Sequence, residues 1–124
     1  MPFSRETDAI TAGREPGGAL VNPLSASTTW ESADLGEMSR KANGMRKDGL
    51  YSRYSNPTVR SFEEAVATLE GAESSLAFAS GMGALASTVF ALCSTGSHVV
   101  AQRQLYGGSR TFLENVCPRF GIDV

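Results

Sequence analysis

The chain has 124 residues, 41% of them hydrophobic, 19% charged and 8% aromatic, which is the make-up of a folded globular domain or part of a larger one. Eleven Lys and Arg against thirteen Asp and Glu leave a net charge of −2, without the positive field that nucleic-acid binders carry. One histidine (His98) and two cysteines (Cys93 and Cys117), outside any paired-cysteine or Cys/His motif, speak against a metal site and a disulfide framework and predict packed, reduced thiols. No apolar run reaches the length of a membrane span and residues 1–18 hold no signal core, so the expected location is the cytoplasm.

Met1 to Tyr54 reads as an extended arm with room for one short helix. Gly13 to Pro23 is rich in Gly and Pro. Leu35 to Gly49 is polar, punctuated by Gly36, Gly44 and Gly49, and its basic cluster of Arg40, Lys41, Arg46 and Lys47 reads as a solvated loop. At Asn56-Pro57 the texture changes. Asn is a favoured N-cap and Pro a favoured first helical residue. Val59, Phe62, Ala65, Val66 and Leu69 follow at helical spacing until Gly71 stops the helix. Ser75 to Ala79 has the length of a strand, Met82 to Cys93 reads as an apolar helix, and His98 to Ala101 as a second, buried strand. Ser109 to Val116 reads as a helix closed by Pro118, and Gly121 to Val124 as the start of a third strand. This alternation predicts an α/β domain with a parallel sheet covered by helices. The domains expected are the arm, 1–54, which makes inter-subunit contacts, and the start of the α/β domain, 55–124. Because the chain stops inside the third strand, it is expected to be a fragment of a larger domain.

Two segments carry chemistry. Ser80-Gly81-Met82-Gly83-Ala84 lies between a strand and a helix, where free backbone amides and the positive end of the helix dipole suit a phosphate. The alternative there is a tight turn that needs small residues for packing. Gly81 to Ala86 also fits the G-x-G-x-x-A dinucleotide fingerprint, and Arg103 after the next strand offers a partner for a 2′-phosphate, so an NADP-binding oxidoreductase is a second reading. Tyr51-Ser52-Arg53-Tyr54-Ser55 presents a guanidinium beside phenols, fit for an anion or for packing as a surface turn.

Tyr51 to Thr58 (YSRYSNPT), Ser80 to Ala84 (SGMGA) and Leu105 to Ser109 (LYGGS) occur in the order and spacing of the trans-sulfuration family of pyridoxal-phosphate enzymes. The chain resembles that family from about Thr11 to its end. The family includes cystathionine γ-synthase, the cystathionine lyases, the O-acylhomoserine sulfhydrylases and methionine γ-lyase. The resemblance implies the N-terminal part of a fold-type-I, aminotransferase-like α/β domain with an extended arm. It implies a pyridoxal 5′-phosphate enzyme acting on sulfur amino acids or activated homoserine, and a homotetramer built from two active dimers. Residue by residue, it implies that Tyr51 and Arg53 reach the cofactor phosphate of the neighbouring protomer. Gly81 and Met82 hold the phosphate of their own site, and Tyr106 stacks on the cofactor ring and assists proton transfer. The family's cofactor-bearing lysine has no match here, because Lys41 and Lys47 both precede the first motif. The chain alone is therefore expected to be inactive, and a non-catalytic short partner of a longer subunit is a third reading. Ser25 stands where an aromatic residue is common in the family, and the basic loop is longer than usual.

Overall fold

Each of the longer helices begins on a side chain that accepts hydrogen bonds from its own first turn. The computed structural model describes residues 4–14, 17–44 and 50–124, in two units, Met1–Ala77 and Phe78–Val124. In the first unit, α1 spans Arg5–Thr11, α2 Leu35–Asn43 and α3 Pro57–Glu70. Asn56 Oδ1 accepts from Thr58 N at 2.9 Å and Val59 N at 3.4 Å, Pro57 opens the helix, and Gly71 closes it at φ 65°. The predicted α3 is therefore present with both of its caps.

Among the described residues of 1–54 there are two helices where the sequence suggested room for one, so the stretch is less extended than expected. The stretch from Leu35 is helix as far as Asn43 because its first turn is doubly tied. Asp34 Oδ1 accepts from Glu37 N at 2.7 Å, and Glu37 Oε2 accepts from Ala33 N at 2.6 Å. The first bond satisfies an amide that a helix start leaves without a partner, and the second ties the residue before the cap back to the same turn. Lys41 then closes on Glu37 at 3.1 Å, one turn on. The Ala33 amide, and after it Lys41, hold the Glu37 carboxyl below the usual glutamate range. Arg46, Lys47 and Gly49 lie outside the described residues.

The arm is stitched to α3 rather than free of it. α1 packs on α3, where Gly13 sits so close that a Cβ on it would stand 2.5 Å from Ser61 Oγ. Asn56 Nδ2 donates to the Ser25 carbonyl at 3.0 Å. Thr58 Oγ1 accepts from Ser25 N at 2.8 Å and donates to the Pro23 carbonyl at 3.0 Å. Further along, Thr29 pairs antiparallel with Tyr51, with Ser52 N on the Thr28 carbonyl at 2.8 Å. The apolar stripe of α3 stays open, with Val59, Phe62 and Leu69 all exposed.

The second unit holds α4 (Gly81–Leu92) and α5 (Gly107–Thr111), which runs on into a wide π turn, Phe112–Val116, and a 3-10 turn, Cys117–Phe120. The predicted helix from Ser109 thus starts two residues early and does not stop at Pro118. Pro118 has no N–H to give an α-helical carbonyl, and the Cys117 amide bonds five residues back to Phe112 O. The chain continues to Gly121, which takes the left-handed conformation at φ 70°. Val89, Phe112, Leu113, Cys117 and Ile122 form the core, with Met82, Leu85, Cys93 and Val99 packed around it. Both thiols are free, and Cys117 has no exposed surface. Burial, with the nearby Cys93 adding to it, pushes the Cys117 thiol up.

The three predicted strands are reduced to one parallel step. His98 bridges Asp123, with Val99 N on Asp123 O at 2.8 Å and Asp123 N on Ser97 O at 2.9 Å. The sense is the expected one, but a ladder extends only as far as a partner strand does. Ser75 to Ala79 forms no ladder among the described residues. Ser75 Oγ instead donates to the Glu63 carbonyl at 2.7 Å, and Ala77 N to the Glu63 carboxylate at 2.8 Å. Nor is His98 to Ala101 buried, since Val100 is 90% exposed. A parallel strand needs cover on both faces, and here Val99 packs on the core while the Val100 face is open.

Candidate functional site

Ser80 decides what the start of α4 can bind. In extended conformation at φ −157° and ψ 155°, it accepts from Gly83 N on its hydroxyl at 3.0 Å and from Ala84 N on its carbonyl at 3.0 Å. Among the described residues, that leaves the amides of Gly81 and Met82 without an acceptor. A helix N-terminus with two open amides and the dipole behind them attracts an anion. Nothing stands within 4 Å of where a Gly81 Cβ would be, so the approach is open.

Tyr106 lies at the same edge of this unit. It occupies the N-cap position of α5 and is 75% exposed, with its carbonyl accepting from Arg110 N at 3.0 Å. Ser109 Oγ, on the first turn of α5, donates to Met82 Sδ at 3.6 Å. The turn that carries the aromatic ring is thereby joined to the residue that carries an open amide. A flat face beside two donors matches a ligand with an aromatic ring and a phosphate. The sequence pointed to Gly81, Met82 and Tyr106; it did not point to Ser80 as the side chain that selects the open amides. The signal was present, because Ser followed by a glycine-rich helix start is a cap pattern.

In the first unit, Tyr51, Arg53 and Tyr54 form a cluster of their own. The Arg53 guanidinium carbon lies 4.9 Å from the Tyr51 ring centre and 5.7 Å from that of Tyr54, and the rings are 6.4 Å apart. Arg53 is exposed and makes no ion pair among the described residues. Cation–π contacts hold the side chain up without consuming its hydrogen-bond donors. Beside Tyr51 opens a mainly apolar cavity of about 600 Å³, lined by Thr29, Trp30, Leu35, Met38 and Leu50. Trp30 and Met38 carried no recognisable site signal in the sequence.

Lys41, the described lysine, is committed to structure, its ammonium 3.1 Å from Glu37 and 2.7 Å from the Glu31 carbonyl. No group of three or more His, Cys, Asp and Glu residues could hold a metal ion among the described residues. No described helix is long and apolar enough to cross a membrane.

Residues 6–124 match the family described as Cys/Met metabolism PLP-dependent enzymes. The chain belongs to this family. Among curated proteins it is 39% identical over 121 residues to the O-succinylhomoserine sulfhydrylase of Pseudomonas aeruginosa, covering 96% of the chain and 30% of that protein. It is 38% identical over 122 residues to the cystathionine gamma-lyase of Sus scrofa, covering 95% and 28%. Among solved structures it is similar to a Campylobacter jejuni protein described as an O-acetylhomoserine (thiol)-lyase, which carries N′-pyridoxyl-lysine-5′-monophosphate. That match has a TM-score of 0.85 at 27% identity and covers 98% of the chain and 31% of the other. The chain thus has the fold of this Cys/Met-metabolism family, and it spans about 30% of the length of these relatives. The family match includes the glycine turn at Gly81, so the dinucleotide reading of Gly81 to Ala86 and Arg103 is not supported.

Proposed function

We propose that this chain is the phosphate-holding part of a pyridoxal 5′-phosphate enzyme of trans-sulfuration, acting on sulfur amino acids or activated homoserine. The observation that carries the reading is the pair of open amides at Gly81 and Met82, joined through Met82 to the turn of Tyr106. When bound, the cofactor supplies an electron sink that acidifies the substrate's α-carbon. This chain's residues bind and orient it. The Gly81 and Met82 amides take the phosphate, with Ser80 keeping Gly83 out of competition. Tyr106 offers its face to the ring and its hydroxyl to a proton. Tyr51 and Arg53 serve the phosphate of a neighbouring protomer in a dimer of dimers, and residues 1–54 form the arm that brings them there. The exposure of Arg53 and its aromatic support favour that role.

The test is a titration with pyridoxal phosphate, followed by absorbance over a series of chain concentrations, with Arg53→Ala and Arg103→Ala beside the unaltered protein. Arg53→Ala weakens binding and flattens its dependence on chain concentration, while Arg103→Ala leaves both unchanged. Loss on Arg103→Ala with none on Arg53→Ala would overturn the assignment.

A further inference from the structure

Tyr106 is mostly exposed, yet its ring is not placed at random. An ideal Cβ on Gly108 would stand 2.7 Å from Tyr106 Cε1, 3.3 Å from Cδ1 and 3.5 Å from Met82 Sδ. The first of these distances is one that real Cβ atoms do not reach. The ring is therefore folded over the backbone of Gly108, and Gly108 is in turn seated against the Met82 thioether. One residue on, Ser109 donates to the same sulfur. Met82 thus does two things at once. Its amide is one of the two left open at the start of α4, and its side chain, packed against the core, carries the turn on which Tyr106 rests.

We propose that Gly108 and Ser109 are positioning residues: through the Met82 side chain they set the Tyr106 ring relative to the amides of Gly81 and Met82. A bare backbone at 108 lets the ring lie down, and the hydroxyl at 109 holds that backbone to Met82. The inference rests on the reading of those amides and that ring as the contacts of the cofactor. Gly108 needs no left-handed backbone, so alanine there suits a helix start at least as well, and a defect would come from the ring and not from unfolding.

The experiment has a part without cofactor and a part with it. In the isotope-labelled 124-residue chain, nuclear Overhauser contacts join the Tyr106 ring to the Gly108 α-protons, and Gly108→Ala changes the ring's contacts and chemical shifts. Absence of those contacts in the unaltered chain overturns the inference, whatever binds. In titrations, Gly108→Ala weakens pyridoxal phosphate about two- to tenfold, the equivalent of one aromatic contact. It leaves binding of inorganic phosphate, which uses the amides alone, unchanged. In a Tyr106→Ala background the same change has no further effect, because it acts only through the ring. Equal losses in both backgrounds would assign Gly108 to the helix start and overturn the proposal. Ser109→Ala weakens pyridoxal phosphate in the same direction, and Ser109→Thr, which keeps the hydroxyl, restores it. If the unaltered chain binds no pyridoxal phosphate, the functional reading fails, and the cofactor-free contacts still decide this one.

Discussion

Replacing Gly81 by proline removes one of the two open amides proposed to hold the phosphate, and little else. Proline is favoured at the first helical position, where its missing N–H costs the helix nothing. The residue before a proline must be extended, and Ser80 already is, at φ −157° and ψ 155°. The side chain has room, since nothing lies within 4 Å of a Cβ at that point. A hydrogen bond to a charged group contributes roughly 1.5–3 kcal/mol, which corresponds to about 10- to 150-fold in affinity. Pyridoxal phosphate titrations should show that loss in Gly81→Pro, while far-UV circular dichroism and the melting temperature stay near those of the unaltered protein. Gly81→Ala keeps the amide and should bind almost normally. Undiminished binding by Gly81→Pro with α4 intact would refute the amide cradle, and an equal loss in Gly81→Ala would show that shape, not the donor, matters.

Other expectations follow from the same geometry. Asn56→Ala removes a cap on α3 and a bond to the Ser25 carbonyl, about 1 kcal/mol for each. Trp30, the sole tryptophan, reports the loss as a lower denaturation midpoint, and Asn56→Asp, which keeps the cap acceptor, recovers about half. The Glu37 carboxyl is held below its ordinary value, so its contribution is present above the unfolded pKa, near 4.5, and is lost as pH falls through the lower folded value. Hydrogen exchange at Ala33 should accelerate over that acid range and lose this dependence in Glu37→Gln. Cys93, half-buried, should be alkylated well before Cys117, whose thiol is fully buried and raised in pKa. Peptide mass mapping checks the order, and simultaneous labelling would contradict the packing.

Local chemistry explains which parts of this fold were legible in the sequence. Asn56-Pro57 and Gly71 bound a helix through contacts with their own neighbours, so three residues suffice to place α3. Asp34 and Glu37 form an equally local pattern, but a polar, glycine-rich surround hid it, and α2 read as loop. The end of the α5 region misled for a different reason. Pro118 is a stop for an α-helix, yet a π turn places the Cys117 amide on Phe112 O and lets the chain pass on to Gly121.

The candidate site divides in the same way. Three motifs in order carried the family, which the comparison bears out, and they singled out Tyr51, Arg53, Gly81, Met82 and Tyr106 as candidates, because a site for a phosphate and a flat ring would demand particular residues at particular spacings. Their relations to neighbours were not written there. That Ser80 spends its hydroxyl on Gly83 and leaves two amides open depends on one side-chain rotamer. That the Tyr106 ring lies on Gly108 depends on Met82, some two dozen residues earlier in the chain, coming to the same place. Composition and spacing encode what each residue can bond to; only folding brings distant segments within the few ångströms over which such bonds form, and so only the tertiary structure decided which donors remain free and what holds the ring.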